Sequence, residues 1–375
     1  MRILHICSYY IGNKLYMNLI KELSLNGINQ EVFIPIRDDQ HAGRNQLPIQ
    51  YDTVNFYYRN LLKKHDKFLF FNKIKKQMTE IEKSIPEIEN INAIHAHTIF
   101  SDGGTAYKLY KKYGIDYIVN VRNTDINTFY RYALHLRPFM YKILLNARAV
   151  VFISHAYKEQ MLSFLPASIL SQIENKCFVV PNGIDDYWHK SAVNKKRKET
   201  FKEIKILFIG TINKNKNLTS VIYACNKLQK EGFNVLLNVI GTGPLEVECR
   251  ELCVNLGMEK NVLFHGYISE KEIISSIMDN SDIFIMPSFK ETFGLVYIEA
   301  MSRGLPVIYT KGQGIDGFFQ EGEVGFSIDP EDQPMIVESI KKIINSYNNL
   351  SVNCYKNSLK FNWSNNSREY LNYYK

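Results

Sequence analysis

The sequence predicts an α/β protein made of two domains, each built around a parallel β-sheet. Apolar runs rich in β-branched residues alternate with amphipathic helical patterns, an order that is typical of parallel sheets. The alternation pauses near residue 181 and restarts at residue 204, so two sheets are expected. The length of 375 residues agrees with two domains of about 100–200 residues each.

The first run of elements occupies the N-terminal half of the chain. Its predicted strands are residues 2–8, 31–35, 93–97, 117–121, 150–154 and 177–180, and its helices include residues 14–26 and 73–84. We interpret the apolar N-terminus as a buried first strand, because no small-residue cleavage site typical of a signal peptide follows it.

The second run begins after a turn rich in Pro, Asn and Gly at residues 181–185, which favours a domain boundary there. Its predicted strands are residues 204–209, 234–240, 262–264, 282–287 and 306–309, with helices at 218–231, 245–256, 270–280 and 295–303. We therefore assign residues 1–180 to a first domain, 181–355 to a second, and 356–375 to a C-terminal helix that returns to the first. Ligands of open parallel sheets bind at the carboxyl ends of the strands, so two facing sheets would enclose a cleft.

The composition excludes several classes of protein. A chain that is 45% hydrophobic and 22% charged is not disordered. Six cysteines are too few for a disulfide scaffold of this length and indicate buried thiols in a reducing compartment. No run reaches the roughly 18 apolar residues of a membrane-spanning helix.

The net charge of +8 is concentrated in the first half. Residues 1–180 contain 23 Lys and Arg against 15 Asp and Glu, whereas residues 181–375 contain 23 of each. Residues 59–76 carry seven basic residues and one acid, interleaved with Leu, Ile and Phe. Such a segment either lies on an anionic membrane surface or is an amphipathic helix with a solvated basic face. Nucleic-acid binding is not expected, because no recognised nucleic-acid motif accompanies the charge.

The strongest functional pattern is residues 282–308, which read DIFIMPSFKETFGLVYIEAMSRGLPVI. An apolar strand leads into a short loop containing Glu291, and Gly294 then begins a helix that carries Glu299. The free amides at a helix start attract phosphate, and a glycine lets a ligand approach the backbone closely. The two acids can accept hydrogen bonds from sugar and ribose hydroxyls, although a solvated charge is the favoured interpretation of each acid taken alone.

This string resembles the E-x7-E motif of retaining glycosyltransferase family 4, with Glu291 and Glu299 as the two acids. Further motifs of that family have similar counterparts here in the same order: P-N-G-I-D at residues 181–185, F-I-G followed by Lys216, I-G-T-G-P at 240–244 and H-G-Y-I at 265–268. The resemblance implies the GT-B architecture, two Rossmann-like domains around a cleft, in which the second domain holds a nucleotide-sugar.

The resemblance also implies roles for individual residues. Lys216 would contact the donor pyrophosphate, Glu291 the donor sugar and Glu299 the ribose. The donor-binding residues implied in this way are Gly12, Thr211, Lys216, Gly241, Tyr267, Ile268, Glu291, Thr292, Phe293, Gly294, Leu295 and Glu299. Thr211 is a departure, because the family often has an arginine there, and one positive charge near the leaving diphosphate is lost.

The first domain matches the family more loosely. Arg122 stands where many members have a histidine that approaches the donor sugar, and it would meet the phosphate or an acidic acceptor. Asp125 would orient Arg122 or accept from an acceptor hydroxyl, with a structural pair as the alternative. His95 and His97 share one face of a strand. A cleft-lining His97 is favoured over a metal site, since no third ligand is evident. Gly12 either borders the donor phosphate or simply turns the chain.

The expected activity is transfer of a sugar, with retained configuration, from a UDP- or GDP-linked donor to a glycan or lipid-linked acceptor in surface polysaccharide or glycolipid synthesis. Glu291, Lys216 and Arg122 would act by orientation and charge stabilisation, with no metal and no cofactor. The expected location is the cytoplasm, including the inner face of the plasma membrane. The alternatives are a non-catalytic sugar-nucleotide-binding partner subunit and a GT-B sugar-nucleotide epimerase, for which no clear acid–base constellation is found.

Overall fold

The computed structural model describes residues 1–63, 66, 69–190 and 200–375. The chain divides into two compact units, each with its own sheet. Unit 1 comprises Met1–Ile153, Tyr157–Gly183 and Trp363–Lys375, and unit 2 comprises Ser154–Ala156 and Ile184–Asn362. The sequence places the corresponding boundaries earlier, at residues 180 and 355. Four residues of the predicted basic segment, Lys64, His65, Lys67 and Phe68, lie outside the described residues.

All strands pair in parallel, as the alternation of strands and helices predicts. In chain order they are β1 Arg2–Ile6, β2 Asn29–Ile36, β3 Val54–Asn60, β4 Ala93–Ala96, β5 Tyr117–Asn120, β6 Ala149–Phe152, β7 Cys177–Val179, β8 Ile204–Ile209, β9 Val235–Ile240, β10 Val262–Gly266, β11 Ile283–Ile285, β12 Val307–Thr310 and β13 Gly325–Ile328. The unit 1 sheet has the order β3-β2-β1-β4-β5-β6-β7, and the unit 2 sheet has the order β10-β9-β8-β11-β12-β13.

The helices connect these strands. In chain order they are α1 Leu15–Leu25, α2 Phe70–Ser84, α3 Ser101–Tyr113, α4 Arg137–Asn146, α5 His155–Phe164, α6 Ala167–Ile173, α7 Asp186–Lys190, α8 Leu218–Lys230, α9 Glu246–Asn255, α10 Lys271–Asp279, α11 Leu295–Ser302, α12 Gln333–Ser358 and α13 Trp363–Tyr374. Among the described helices, none has both the length and the hydropathy needed to cross a bilayer.

The central strands are buried along their length because helices cover both faces of each sheet. In unit 1, side chains of β4, β5 and β6 are buried at every position. On one face of this sheet, α1 and α13 pack together, and Trp363, Tyr370 and Tyr374 join a core that includes Ile3 and Leu19. The C-terminal helix is thus part of the unit 1 core.

The basic segment at residues 59–76 does not form a single amphipathic helix, which corrects one of the two expectations for it. Arg59 lies in β3, whereas α2 begins at Phe70. The cations of this segment are also partly neutralised: Arg59 lies 3.2 Å from Glu80, and Lys76 lies 2.8 Å from Asp66. A helix was expected because aliphatic and basic residues alternate, but the edge strand β3 ends within that pattern.

Each sheet has a point at which the strand order reverses. In unit 2 the chain builds outward from β8 through β9 to β10, then returns to place β11 on the other side of β8. The loops that follow β8 and β11 therefore leave the same carboxyl edge from neighbouring strands. In unit 1 the same relation holds for β1 and β4. Ligands of open α/β sheets bind at such points.

Candidate active site

Two loops of unit 2 meet at the reversal point of its sheet. One follows β8, at residues 210–217, and the other follows β11, at residues 286–294. Asn215 joins them, because its Nδ2 donates to the Lys290 carbonyl at 2.9 Å and its Oδ1 accepts from the Lys290 amide at 3.0 Å. The Phe289 amide also donates to the Asn215 carbonyl at 2.8 Å. These bonds hold the two loops in a fixed register.

The two loops bring Lys216 and Glu291 together. Lys216 Nζ lies 2.5 Å from Glu291 Oε2, and both side chains are half-buried. The Lys216 amide donates to Asn213 Oδ1 at 3.0 Å, and the Glu291 amide donates to Gln313 Oε1 at 3.0 Å. The sequence predicts that these residues share one site, and the structure places them in direct contact.

Helix α11 starts beside this ion pair. Its N-cap, Gly294, has φ +80°, and a Cβ there would lie 2.6 Å from the Tyr297 ring and 3.1 Å from Glu291 Cγ. Only glycine fits this position. Among the described residues, no side chain caps the first amides of α11. A helix start next to a lysine is suited to an anion.

Contacts with other parts of unit 2 hold the residues between Glu291 and α11 in place. Thr292 accepts a hydrogen bond at its carbonyl from Ser154 Oγ at 2.9 Å. The buried Phe293 ring packs against Phe318 and Phe361, with ring centroids 5.7 and 5.9 Å away. These contacts fix the backbone of residues 292–294. The family resemblance implies that the amides of Phe293, Gly294 and Leu295 lie near the donor.

The glycines of the I-G-T-G-P motif allow close backbone approach. Gly241 has φ +133°, and a Cβ there would lie 2.0 Å from the Gly210 carbonyl oxygen. A Cβ on Gly243 would lie 2.2 Å from the Ile212 carbonyl oxygen. The loop after β9 therefore lies directly on the loop after β8. Gly241 has a structural role that the resemblance alone does not assign.

Glu299 lies in the second turn of α11 and is contacted by α7. The Trp188 indole favours the ionised form of the Glu299 carboxylate, and Lys271 pairs with Asp185 at 2.7 Å. Burial raises the pKa of Glu299 to about 7, and the charge of Asp185 adds to this while Lys271 opposes it. The sequence did not single out Trp188. The available signal was an aromatic residue soon after the P-N-G-I-D turn.

Three predicted donor residues lie at the carboxyl ends of unit 2 strands. Thr211 follows β8 and is exposed. A ligand at this position would meet the threonine hydroxyl, where the family often has an arginine. Tyr267 and Ile268 follow β10, and the Tyr267 ring is 75% exposed. Leu295 is the first residue of α11. All of them lie on the edge of the sheet where the ion pair lies.

In unit 1, Asp125 stabilises a turn through the backbone. Its carboxylate accepts from the amides of Ile99 at 3.1 Å, Phe100 at 3.3 Å and Arg122 at 2.9 Å. Burial raises the pKa of Asp125 to about 7, although the three amides act in the opposite direction. Asp125 therefore holds Arg122 by its main chain. The Arg122 guanidinium lies 5.4 Å above the Tyr16 ring.

Arg122 also carries an unsatisfied buried nitrogen. Its Nε has no hydrogen-bond partner among the described residues. A buried donor of this kind costs about 1–3 kcal/mol unless something accepts from it. The position is consistent with the predicted contact to an anionic group.

A cavity of about 440 Å³ opens at the carboxyl edge of the unit 1 sheet. Its walls come from the residues that follow β1 to β5, and they include Gly12 and Asp125. A Cβ on Gly12 would meet nothing within 4 Å among the described residues. The described residues would therefore leave room for a larger side chain at position 12. A requirement for glycine there would come from a bound ligand.

His97 is placed differently from the expectation of a cleft-lining residue. Its side chain is 1% exposed, and it belongs to a buried cluster with His5 and His95. His5 Nδ1 lies 3.2 Å from His97 Nε2, and His95 contacts Tyr374 Oη at 2.7 Å. The sequence pattern did not identify a third histidine for this site. His5 enters because it pairs with His95 in register across β1 and β4.

This histidine cluster is only partly hydrogen-bonded: His95 has partners at both ring nitrogens, whereas His5 Nε2 and His97 Nδ1 have none among the described residues. The nearest nitrogens of the three rings lie within 4.8 Å of one another. However, His95 and His97 stack with ring centroids 4.0 Å apart and planes 20° apart, so their lone pairs lie in nearly parallel planes. A metal needs ring planes that converge on one point. Burial lowers the pKa of His5 to about 3, so this imidazole is neutral.

Two protein-family models match the chain. Residues 13–187 match Glycosyltransferase Family 4, and residues 190–361 match Glycosyl transferases group 1. The glycosyltransferase CapM of Staphylococcus aureus, named for capsular polysaccharide biosynthesis, is 29% identical over 238 residues, which are 61% of this chain and 60% of CapM. The chain spans about three fifths of the length of the first curated relatives that it matches.

Solved structures share the fold of the whole chain. The lipopolysaccharide outer core galactosyltransferase WaaB, in its apo form, has a TM-score of 0.74 at 18% identity and covers 100% of this chain and 99% of its own. HepE of Anabaena, in complex with UDP, has a TM-score of 0.70 at 15% identity and covers 99% of both chains. The GT-B fold and the family resemblance are therefore confirmed. This chain belongs to the family 4 type of glycosyltransferases with the GT-B fold.

Proposed function

We propose that this protein is a retaining glycosyltransferase that moves a sugar from a nucleoside-diphosphate donor to a hydroxyl of a glycan or lipid-linked acceptor. The observation that supports this best is the contact between Lys216 and Glu291 beside the uncapped start of α11. A cation and free amides are suited to a diphosphate, and a carboxylate is suited to sugar hydroxyls. Nucleotide binding would draw Lys216 toward phosphate and release Glu291 for the sugar.

The donor would lie along the carboxyl edge of the unit 2 sheet. Lys216 and the amides of residues 293–295 bind the diphosphate, Glu299 accepts from the ribose hydroxyls, and the segment at Tyr267 borders the base. HepE is described with UDP, and this name supports a uridine nucleotide as the first donor to test. Thr211 offers a hydroxyl where a second cation would otherwise stand.

The reaction uses orientation and charge stabilisation instead of a protein nucleophile. The bond between the anomeric carbon and the diphosphate breaks, and the acceptor oxygen attacks from the same face of the sugar. The acceptor proton passes to the departing phosphate oxygen, so the atoms balance without a further base. Lys216 and the α11 amides stabilise the charge that develops on the diphosphate, which is the task of a metal ion in other transferases.

The names of the relatives support a role in surface polysaccharide or glycolipid synthesis. A cytoplasmic protein that associates with an anionic membrane suits a lipid-linked acceptor. Leu69 and Phe71 are 51% and 53% exposed next to the exposed Lys75. Flotation with anionic liposomes at low salt tests this part, and absence of binding there would remove the membrane from the proposal.

The central experiment is turnover of radiolabelled UDP- and GDP-sugars. We expect slow hydrolysis of one donor without acceptor, unchanged by EDTA, and retained anomeric configuration in the NMR spectrum of a transfer product. Lys216→Ala should abolish hydrolysis, whereas Lys230→Ala, a matched change at an exposed lysine of α8, should not. Binding of a nucleotide-sugar with neither hydrolysis nor transfer would favour the partner-subunit alternative.

A further inference from the structure

We propose that the acceptor carries a phosphate or carboxylate group and that Arg37, Lys63 and Lys73 bind this group in the unit 1 cavity, an inference that rests on the proposed transfer reaction. The sequence places Lys63 and Lys73 in the basic segment at residues 59–76, but it does not connect them with Arg37 or with a ligand. They come from three separate elements: Arg37 follows β2, Lys63 follows β3, and Lys73 lies in the first turn of α2. All three line the same cavity.

The positive charge of this cavity is only partly offset: Arg37, Lys63 and Lys73 line it together with Asp66 and Asp125. Lys73 Nζ donates to Ser101 Oγ at 2.8 Å, which is a neutral partner. Within the described residues, no carboxylate forms an ion pair with Arg37, Lys63 or Lys73. The cavity therefore has three cations available to a ligand.

The acids that line the cavity are already engaged. Asp66 pairs with Lys76 at 2.8 Å and accepts from the Lys63 amide at 2.7 Å. The carboxylate of Asp125 accepts from three backbone amides. Because these two acids already have partners, we expect the attraction of an anionic ligand to the three cations to exceed its repulsion by the acids.

Arg37 and Lys73 are close enough to affect each other. Burial is the main cause that lowers the pKa of Lys73; the charges of Asp102 and Asp66 oppose this shift, and the positive charge of Arg37 adds to it. Two cations held near each other around a semi-enclosed space repel, and a bound anion removes that repulsion. This arrangement is typical of sites that receive phosphate or carboxylate.

The remaining walls are mostly apolar and include Ile11, Leu62, Phe70 and Phe129. A volume of about 440 Å³ is in the range of small-ligand sites. Two sources of the anion fit these walls: the phosphate of a lipid-linked sugar, whose chain would use the apolar walls, or a soluble sugar phosphate. The shared feature is the anionic group.

The test is calorimetric titration of the full chain with inorganic pyrophosphate in a Lys216→Ala background, which weakens the donor site. We expect one binding site, weakened about tenfold or more by Arg37→Ala with Lys73→Met, because two charge-assisted contacts are lost. Lys75→Ala, at an exposed lysine of the same helix, is the matched control and should change affinity less than about twofold. Absence of pyrophosphate binding, or equal affinity in the double variant and the control, would overturn the proposal.

Two further ligands distinguish the sources of the anion. Tighter binding of geranyl diphosphate than of pyrophosphate would assign a lipid phosphate, and tighter binding of glucose 6-phosphate would assign a soluble sugar phosphate. In either case, the tighter binding has to be absent in the variant that combines Arg37→Ala with Lys73→Met. Thermal unfolding of that variant, and a repeat with the milder Arg37→Gln, check that the loss is not caused by misfolding.

Titration with UDP separates this inference from the proposed function. UDP affinity should fall with Lys216→Ala and stay unchanged with Arg37→Ala and Lys73→Met. Failure of the protein to bind UDP, with the pyrophosphate site intact, would contradict the transferase and leave an anion site. Normal UDP binding without a pyrophosphate site would contradict this inference alone.

Discussion

Lys216 and Glu291 are 75 residues apart in the sequence, yet the lysine Nζ lies 2.5 Å from the glutamate Oε2. The loops after β8 and β11 bring them together because those strands are neighbours in the sheet. We expect Lys216→Ala and Glu291→Ala each to reduce turnover by on the order of 100-fold or more, since transition-state charge stabilisation is lost.

The same two substitutions should affect stability less than they affect turnover. The side chains of the pair are 22% and 14% exposed and lie in loops, so its loss is expected to change the free energy of unfolding by about 1–2 kcal/mol, well below the effect on turnover. Turnover and thermal unfolding measured on the same preparations check both statements. Full activity in both variants would mean that the site lies elsewhere.

The affinity for a nucleotide-sugar should depend on the ionisation of Glu299. Its pKa is raised to about 7, and only the carboxylate form accepts well from ribose hydroxyls. The dissociation constant of UDP-glucose should therefore increase as pH falls from 8.5 to 6. UDP-glucose is the better probe, because a terminal phosphate has its own ionisation near pH 6.

Glu299→Gln supplies the control for this pH dependence and should flatten it. Trp188→Phe should move the midpoint upward, because the Trp188 indole favours the carboxylate of Glu299 and lowers its pKa. Isothermal titration across pH measures both. An unaltered pH slope in Glu299→Gln would show that another group is responsible.

Asp125 should make unit 1 more stable at mildly acidic pH. Its pKa is raised to about 7 in the folded protein, above the ordinary value of 3.8. The folded state therefore keeps a proton that the unfolded state loses, and this stabilisation decreases as pH rises from about 4 to 7. Asp125→Asn should be destabilising, and its cost should shrink between pH 5 and pH 8.

Denaturant unfolding at the two pH values measures this cost. Asp52→Asn, at an exposed acid of the same unit, is the matched control and should show no such trend. A cost that grows with pH would indicate that the three amides dominate over burial at Asp125.

Alanine substitutions at two glycines should distinguish a glycine required for folding from a glycine required for activity. Gly241→Ala places a Cβ 2.0 Å from the Gly210 carbonyl oxygen and is expected to destabilise unit 2 by about 2 kcal/mol or more. Gly12→Ala meets nothing within 4 Å among the described residues, so stability should hold. Activity should fall in Gly12→Ala if the donor phosphate approaches this backbone. Unfolding and turnover of the two variants give the answer, and a stable, active Gly241→Ala would contradict the first part.

Much of the fold could be predicted because buried parallel strands have continuous apolar runs. The predicted strand at residues 204–209 matches β8 at both ends, and the predicted helix at 218–231 ends one residue beyond α8. The strand β3 was missed because it is a half-exposed edge strand whose sequence, VNFYYRN, mixes polar and aromatic residues. The long helix α12 and the short strand β13 were also not predicted.

The site could be predicted in unit 2 and only partly in unit 1. Motif spacing identifies Lys216 and Glu291 because the family string is long. His5, Arg37 and Lys73 could not be found in this way, since their proximity to other residues depends on strand register and on loop paths. The contact of Trp188 with Glu299 likewise depends on how α7 packs against α11.

The last helix has a consequence for dissecting the protein. Because α13 completes unit 1, a fragment that ends before Trp363 would remove three aromatic side chains from that unit's interior. It would also remove the Tyr374 and Tyr370 hydroxyls that bind His95 and Asn120. Neither unit therefore corresponds to one continuous segment of the chain. A separately produced first unit would need residues 363–375 rejoined to it, through a short linker or a circular permutation.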